Sequence, residues 1–528
     1  MPVNAALSIL VASSEVVGFA KTGGLADVCG YLPQALARLG HTTAVIMPLY
    51  GVVRRGKQPI RPTDIVLSIP YRGRMVPTRL WRSTMPGSDV PVWLVENPDL
   101  FERDNPAEGR TIYQYMHFGF KRDYDDNLER FSFFSRAVLE AVPHVGFVPD
   151  IIHANDWQTG LIPAYLRELY QHRPGYRRIR TLFTIHNIAY QGTFPAEMYP
   201  QTGLSWKLFN HTQIEFFNQV NLLKAGVLFA DWINTVSPTY SQEIRTTYFG
   251  CGLDGVLTEN RTRLSGIVNG VDYASWDPAT DPLIACRYSP EAVEPGKGLC
   301  KRAVQNAFHL PETPRTPLFG MIARLVEQKG VDLLIRGAEE LFEHDVQVVV
   351  LGDGDPEYHR RLGLLRDRYP DKLGLYLGFD ETLAHQIEAG SDLYLMPSMF
   401  EPSGLNQLYS LKYGTPPIVR HTGGLADTIA DTTPATLADG TATGFSFIAF
   451  TPHAFVQTCV RAATLYSDSP ADFRRVVLTG MSQDWSWERA AASYEEVYRN
   501  LIPEADSAVP APAGGAGPSI VAAMADRR

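Results

Sequence analysis

The 528-residue sequence has few cysteines, no long apolar runs and no excess of basic residues. Its five cysteines, Cys29, Cys251, Cys286, Cys300 and Cys459, are scattered, with no Cys-x-x-Cys pair and none at metal-ligand spacing with histidine. That excludes a disulfide scaffold and a zinc ribbon, and fits buried thiols in a reducing cytoplasm. No segment approaches the roughly 18 consecutive apolar residues of a membrane-spanning helix. The first apolar run, LSILVAS, has no basic cluster before it and no cleavage site after it. It reads as a first strand and not as a signal peptide. A net charge of −9 argues against sequence-independent nucleic-acid binding.

What is present is an ordinary globular composition, 45% hydrophobic and 20% charged, in a chain long enough for two or three domains. Short β-rich runs alternate with helical patterns. Strands are predicted at 7–12, 43–47, 90–95, 150–153, 180–185 and 232–236, and again at 318–322, 346–351, 373–377, 393–396 and 417–419. Helices follow at 25–39, 130–142, 331–342 and 405–413. This alternation predicts an α/β fold of parallel sheets covered on both faces. Two such sets predict two Rossmann-like domains, 1–268 and 269–484. The segment WSWERAAASYEEVYRNLI places Tyr494, Val497, Tyr498 and Leu501 on one helical face. Residues 503–528, rich in Ala, Pro and Gly, read as a disordered tail.

One hexapeptide occurs twice. TGGLAD spans 22–27 and 422–427, each time between a predicted strand and a predicted helix. Glycines at such a junction let an anion approach bare backbone N–H groups at the positive end of a helix, and Lys21 adds a full charge to the first copy. The loop is neither GxxxxGK[ST] nor GxGxxG. In an open α/β sheet, ligands sit beyond the carboxyl ends of the strands, so two facing domains could bring both loops to one ligand. Arg324 and Lys329 in ARLVEQKG suit a leaving diphosphate. Glu401 in MFEPSGLNQ suits sugar hydroxyls, and HANDW and TIHNIAYQG set Asp156, His186 and Asn187 at strand ends. Singly, each motif also suits a tight turn, a solvated charge or a core histidine; the weight lies in their combination.

In order, KTGGLADV, HANDW, TIHNIAYQG, VNGVD, ARLVEQKG, FEPSGLNQLYSLKYG and TGGLADT resemble the bacterial and plant glycogen/starch synthases that use ADP-glucose. The resemblance covers roughly 7–500. It implies the GT-B fold: an acceptor-side and a nucleotide-sugar domain facing a central cleft, with a last helix, 485–502, crossing back to the first domain. It implies retaining transfer of glucose to the non-reducing end of an α-1,4-glucan, without a cofactor or essential metal, and with no nucleic-acid or membrane partner. It places Lys21, Gly23 and Gly24 near the distal phosphate, and Arg324 and Lys329 on the diphosphate. Glu401 and the Ser403 and Gly404 amides fall on glucose, Thr422 and Gly423 on phosphate, and Asp156, His186 and Asn269 around the donor sugar. Asp27 and 124–127 would line the cleft. Two positions depart from the family: Ser403 stands where Cys is common, and Phe379 where Tyr is common. Stacking on adenine survives the second change and a hydroxyl contact does not. Asp353-Gly354-Asp355 resembles a metal-binding DxD, but follows a strand and suits a turn into a helix. A retaining transferase with another donor, a nucleotide-sugar epimerase on the same scaffold, and a non-catalytic binder are the rival readings; nothing supports a pyridoxal-phosphate phosphorylase.

Overall fold

The computed structural model describes residues 5–117 and 120–502. The tail expected at 503–528 lies outside them. The first sheet has nine strands, and seven of them run parallel. Ser8–Ala12 is central, with Thr42–Pro48 and then Pro91–Val95 on one side, and Ile151–Asn155, Arg180–Ile185, Trp232–Thr235 and Leu264–Gly266 on the other. The second sheet has six parallel strands built around Leu318–Ile322. Gln347–Gly352 and Leu373–Leu377 lie to one side, and Leu393–Met396, Pro417–Arg420 and Phe445–Phe447 to the other. Both have the doubly wound order, in which the chain leaves the paired first and fourth parallel strands toward opposite faces and opens a crevice at their carboxyl ends. The inner strands are buried on both faces, so they read as continuous apolar runs, and the strands that were expected keep their bounds within a residue or two; Leu264–Gly266 and Phe445–Phe447 at the sheet edges were not expected.

The sequence pattern did not reveal the antiparallel hairpin Arg61–Tyr71 and Arg74–Thr84 on the edge of the first sheet. It turns through Arg72 and Gly73, both at positive φ (49° and 71°), the conformation of a two-residue hairpin turn.

Two cores result. One gathers residues from 7 to 267, the other from 284 to 481. The final helix, Trp487–Leu501, joins the first: Trp487, Ala491, Tyr494 and Tyr498 are buried there, with Val497 and Leu501 packed alongside. Tyr494 accepts from Asn234 Nδ2 at 3.1 Å, and Tyr498 meets His153 Nδ1 at 2.8 Å. The two chain crossings run side by side, with Val271 N donating to Trp485 O at 2.7 Å.

Candidate active site

In the first domain, the loop after Ser8–Ala12 leads into helix Gly24–Arg38. Lys21, Gly23 and Gly24 are exposed, and a Cβ at either glycine would meet nothing within 4 Å. This helix start is open. Its loop is held from beneath by Glu15, a residue that the sequence pattern did not single out. Glu15 is buried; it accepts from the Thr22 amide, from Thr22 Oγ1 at 2.6 Å, from Gly23 N at 3.3 Å and from Tyr113 OH at 2.8 Å. Burial pushes its carboxyl above the ordinary range, and these donors oppose the shift. Lys21 Nζ pairs with Asp27 Oδ1 at 2.7 Å. Burial raises Asp27, with Lys21 opposing and Asp272 adding.

Next to this loop, beyond the fourth strand, sits Asp156. Its φ of 56° and ψ of 178° are rare for a residue with a side chain, a strain of about 1–3 kcal/mol that the surrounding contacts must offset. Its carboxylate accepts the His186 amide at 2.8 Å. Burial pushes Asp156 up to about 7, opposed by the His186 and Asn187 amides. His186 is buried and pushed down to about 3, so it is neutral. Asn155 Nδ2 donates to Ala12 O and His153 O, which leaves Asn155 Oδ1 to accept from His186 Nε2 at 2.9 Å. His186 Nδ1 is then the acceptor. Asn187 accepts from the Ala189 amide at 3.0 Å. Asn269 is buried, and its Oδ1 has no partner among the described residues.

In the second domain, Arg324 follows the central strand, exposed and without an ion pair among the described residues. Lys329 Nζ reaches Glu401 Oε2 at 2.5 Å, and Ser398 Oγ donates to the same oxygen at 3.0 Å. Gly330 makes this meeting possible: at φ 70° it starts helix Val331–Leu341, and a Cβ there would lie 2.0 Å from Pro397 O. Glu401 and Ser403 are buried, and Ser403 Oγ is unpartnered among the described residues. Gly404 continues the loop at φ 72°. Phe379 lies beyond the third strand, 83% exposed, which leaves a ring face open.

Two expectations change. The second TGGLAD is not an open cradle like the first. Thr422, Gly423 and Gly424 are buried; Thr422 Oγ1 donates to Glu243 Oε1 at 2.8 Å, and Gly423 N to both Glu243 oxygens at 3.1 Å. Gly424 N donates to Glu401 O at 3.1 Å and Pro402 O at 3.2 Å. These amides hold the Glu401 loop and the neighbouring domain. Tyr124 and Asn127 turn inward: Tyr124 OH donates to Thr111 O at 3.2 Å and Asn127 Nδ2 to Tyr113 O at 3.2 Å. These bonds order the loop, and Asp125 between them is exposed. In the DxD-like stretch, Asp355 caps helix Pro356–Arg368 through Glu357 N at 2.8 Å, and Asp353 pairs with His359 Nε2 at 3.3 Å.

Residues 8–259 match the starch synthase catalytic domain, and residues 305–458 match glycosyl transferases group 1. The chain is 42% identical over 507 residues to a glycogen synthase of Rhodopirellula baltica, covering 94% of this chain and 98% of that one. It is 45% identical over 502 residues to a glycogen synthase of Anaeromyxobacter dehalogenans, covering 94% and 100%. Among solved structures, the catalytic domain of Arabidopsis thaliana starch synthase IV, bound to ADP and acarbose, superposes with a TM-score of 0.84 at 34% identity, covering 94% of this chain and all of that one. A sucrose-phosphate synthase from Thermosynechococcus elongatus, 17% identical with a TM-score of 0.54, shares the fold.

Proposed function

The chain belongs to the glycogen and starch synthase family of glycosyltransferases, and on that premise we propose that its cleft moves glucose from ADP-glucose to the non-reducing end of an α-1,4-glucan with retention of configuration. The observation that carries the reading is the Lys329–Glu401 pair at the crevice of the second sheet, with Arg324 just past the end of the central strand, and Lys21, Asp156 and His186 at the crevice of the first.

In this reading the diphosphate draws Arg324 and Lys329. Lys329 exchanges its pair with Glu401 for phosphate oxygens, and Glu401 is freed for glucose hydroxyls. The open helix start at Gly23 and Gly24 meets the distal phosphate, with Lys21 beside it. Neutral His186 accepts from a sugar hydroxyl through Nδ1, and Asp156 fixes the His186 backbone. As the glycosidic bond to phosphate breaks, the sugar gains oxocarbenium character and charge builds on the diphosphate. Stabilising that charge by fixed cations and amides is the main catalytic term. Closure of the cleft keeps water from the donor. A front-face attack by the glucan hydroxyl, with the leaving phosphate taking its proton, accounts for retention without a covalent sugar–enzyme intermediate. Phe379 offers its exposed ring to adenine. The cytoplasm, where the free thiols stay reduced, is the compartment in which we place it.

The test is release of nucleotide with and without glycogen, comparing ADP-glucose with UDP-glucose, and with EDTA in a parallel arm. Glycogen-dependent ADP release that survives EDTA is the expected result. Release from UDP-glucose alone would overturn the donor assignment. Loss in EDTA would give Asp353 and Asp355 a metal-binding role.

A further inference from the structure

The second hexapeptide lies against helix Pro238–Glu243 of the first domain, and the two short helices exchange carboxylates. Glu243, at the end of the first-domain helix, accepts from Thr422 Oγ1 and Gly423 N at the start of the other. Asp427, within the second-domain helix, returns the contact. It accepts from Ser237 Oγ at 2.5 Å, from Thr239 N at 3.0 Å and from Thr239 Oγ1 at 2.6 Å. In the first hexapeptide the corresponding Asp27 stays within its own domain, on Lys21.

We infer that Glu243 and Asp427 are positioning residues: a reciprocal capping pair that ties the two domains together and sets the Glu401 loop relative to the first-domain half of the site. The linkage runs through consecutive amides. Gly423 N is held by Glu243, and the next amide, Gly424 N, holds Glu401 O and Pro402 O. There is no slack between them, because a Cβ at Gly423 would lie 2.0 Å from Glu401 O and one at Gly424 2.1 Å from Ser403 O. A displacement of helix 238–243 is therefore passed to the backbone of Glu401. Glutamine at 243 keeps the shape but replaces one of the two accepting oxygens with a donor, which faces the Gly423 N–H unproductively.

The inference rests on the proposed function for its kinetic arm only. Glu243→Gln and Asp427→Asn are compared singly and together in the ADP-release assay, with ADP affinity by calorimetry and hydrogen exchange of peptides covering 398–405 and 422–428. Each single variant is expected to lower kcat by about tenfold or more, with ADP affinity held within about threefold. Exchange in both peptides should accelerate, the double variant should be no worse than the poorer single, and Glu243→Asp should recover part of kcat. Wild-type kcat and exchange in the single variants would overturn it, as would single-variant losses that multiply in the double. So would a fall in melting temperature with kcat and exchange unmoved. If the wild-type protein does not turn over ADP-glucose, the functional reading fails, and the exchange comparison still decides the clasp.

Discussion

Changing Gly424 to alanine puts a methyl group 2.1 Å from Ser403 O and 2.5 Å from Ser403 Cα. Ordinary contact begins near 3.5 Å, so the Glu401–Gly404 loop or the helix start must move by roughly 1 Å. Neither can yield alone, because Gly424 N is bonded to Glu401 O and Pro402 O. Overpacking of this kind costs about 1–3 kcal/mol, or about 2–12 °C of melting temperature for a domain of this size. A shift of about 1 Å in a positioned group lowers turnover by about a hundredfold. The control is the same substitution in the same hexapeptide. A Cβ at Gly24 meets nothing within 4 Å and sits at the first position of a helix, where alanine is neutral or stabilising by up to about 1 kcal/mol. Scanning fluorimetry and steady-state kinetics on Gly24→Ala and Gly424→Ala decide the matter. The first variant should melt at or above wild type, whatever it does to donor binding, and the second should melt lower and turn over slowly. Equal melting temperatures, or a Gly424→Ala enzyme as active as wild type, would refute the argument that the two copies have different surroundings.

Arg324→Ala should melt within about 1 °C of wild type, since its side chain is exposed and has no ion pair among the described residues, while kcat/KM falls by about a hundredfold or more; thermal melting and initial rates check both halves. Lys329→Met strands a buried carboxylate at Glu401 and should cost about 3–5 kcal/mol in urea unfolding, most of which returns in Lys329→Met/Glu401→Gln without any return of activity. Acid should weaken the fold through His153 and His186, both pushed down to about 3 by burial. A depressed pKa means stability that is present above the unfolded value, about 6.5, and is lost as pH falls toward 3. His153→Gln should therefore flatten the fall in urea midpoint between pH 7 and pH 5; an unchanged slope would contradict the assignment.

The parallel strands were legible because both of their faces are covered, which leaves an uninterrupted apolar run between turn residues. The edge hairpin was not. RPTDIVLSIPY and RMVPTRLWRST mix polar and apolar residues without a clean period of two, and both carry proline inside the run; such a pattern reads as loop until a partner strand is known. At the site, residues at strand ends were legible from their motifs, whereas Glu15 was not. Its role depends on the chain folding back so that Thr22, Gly23 and Tyr113 converge on one carboxylate, and no spacing rule encodes that. The repeated hexapeptide misled for a related reason. In both copies a carboxylate, Glu15 or Glu243, accepts from the threonine and the first glycine, but the helices start one position apart, at Gly24 and Gly423, and the second glycine faces open space in one case and the Glu401–Ser403 backbone in the other.

The returning helix has a consequence for synthesis of the chain. His153 and Asn234 lie on strands of the first domain, yet the hydroxyls that they meet belong to Tyr498 and Tyr494. Those tyrosines are joined to the peptide only after the whole second domain. While a ribosome is still making that domain, the first has its strands but an uncovered apolar flank, where Trp487, Ala491 and both tyrosines will later pack. The first half of the protein to emerge is thus the last to be completed. A chain cut before residue 487 loses the cover of a domain that ends more than two hundred residues upstream.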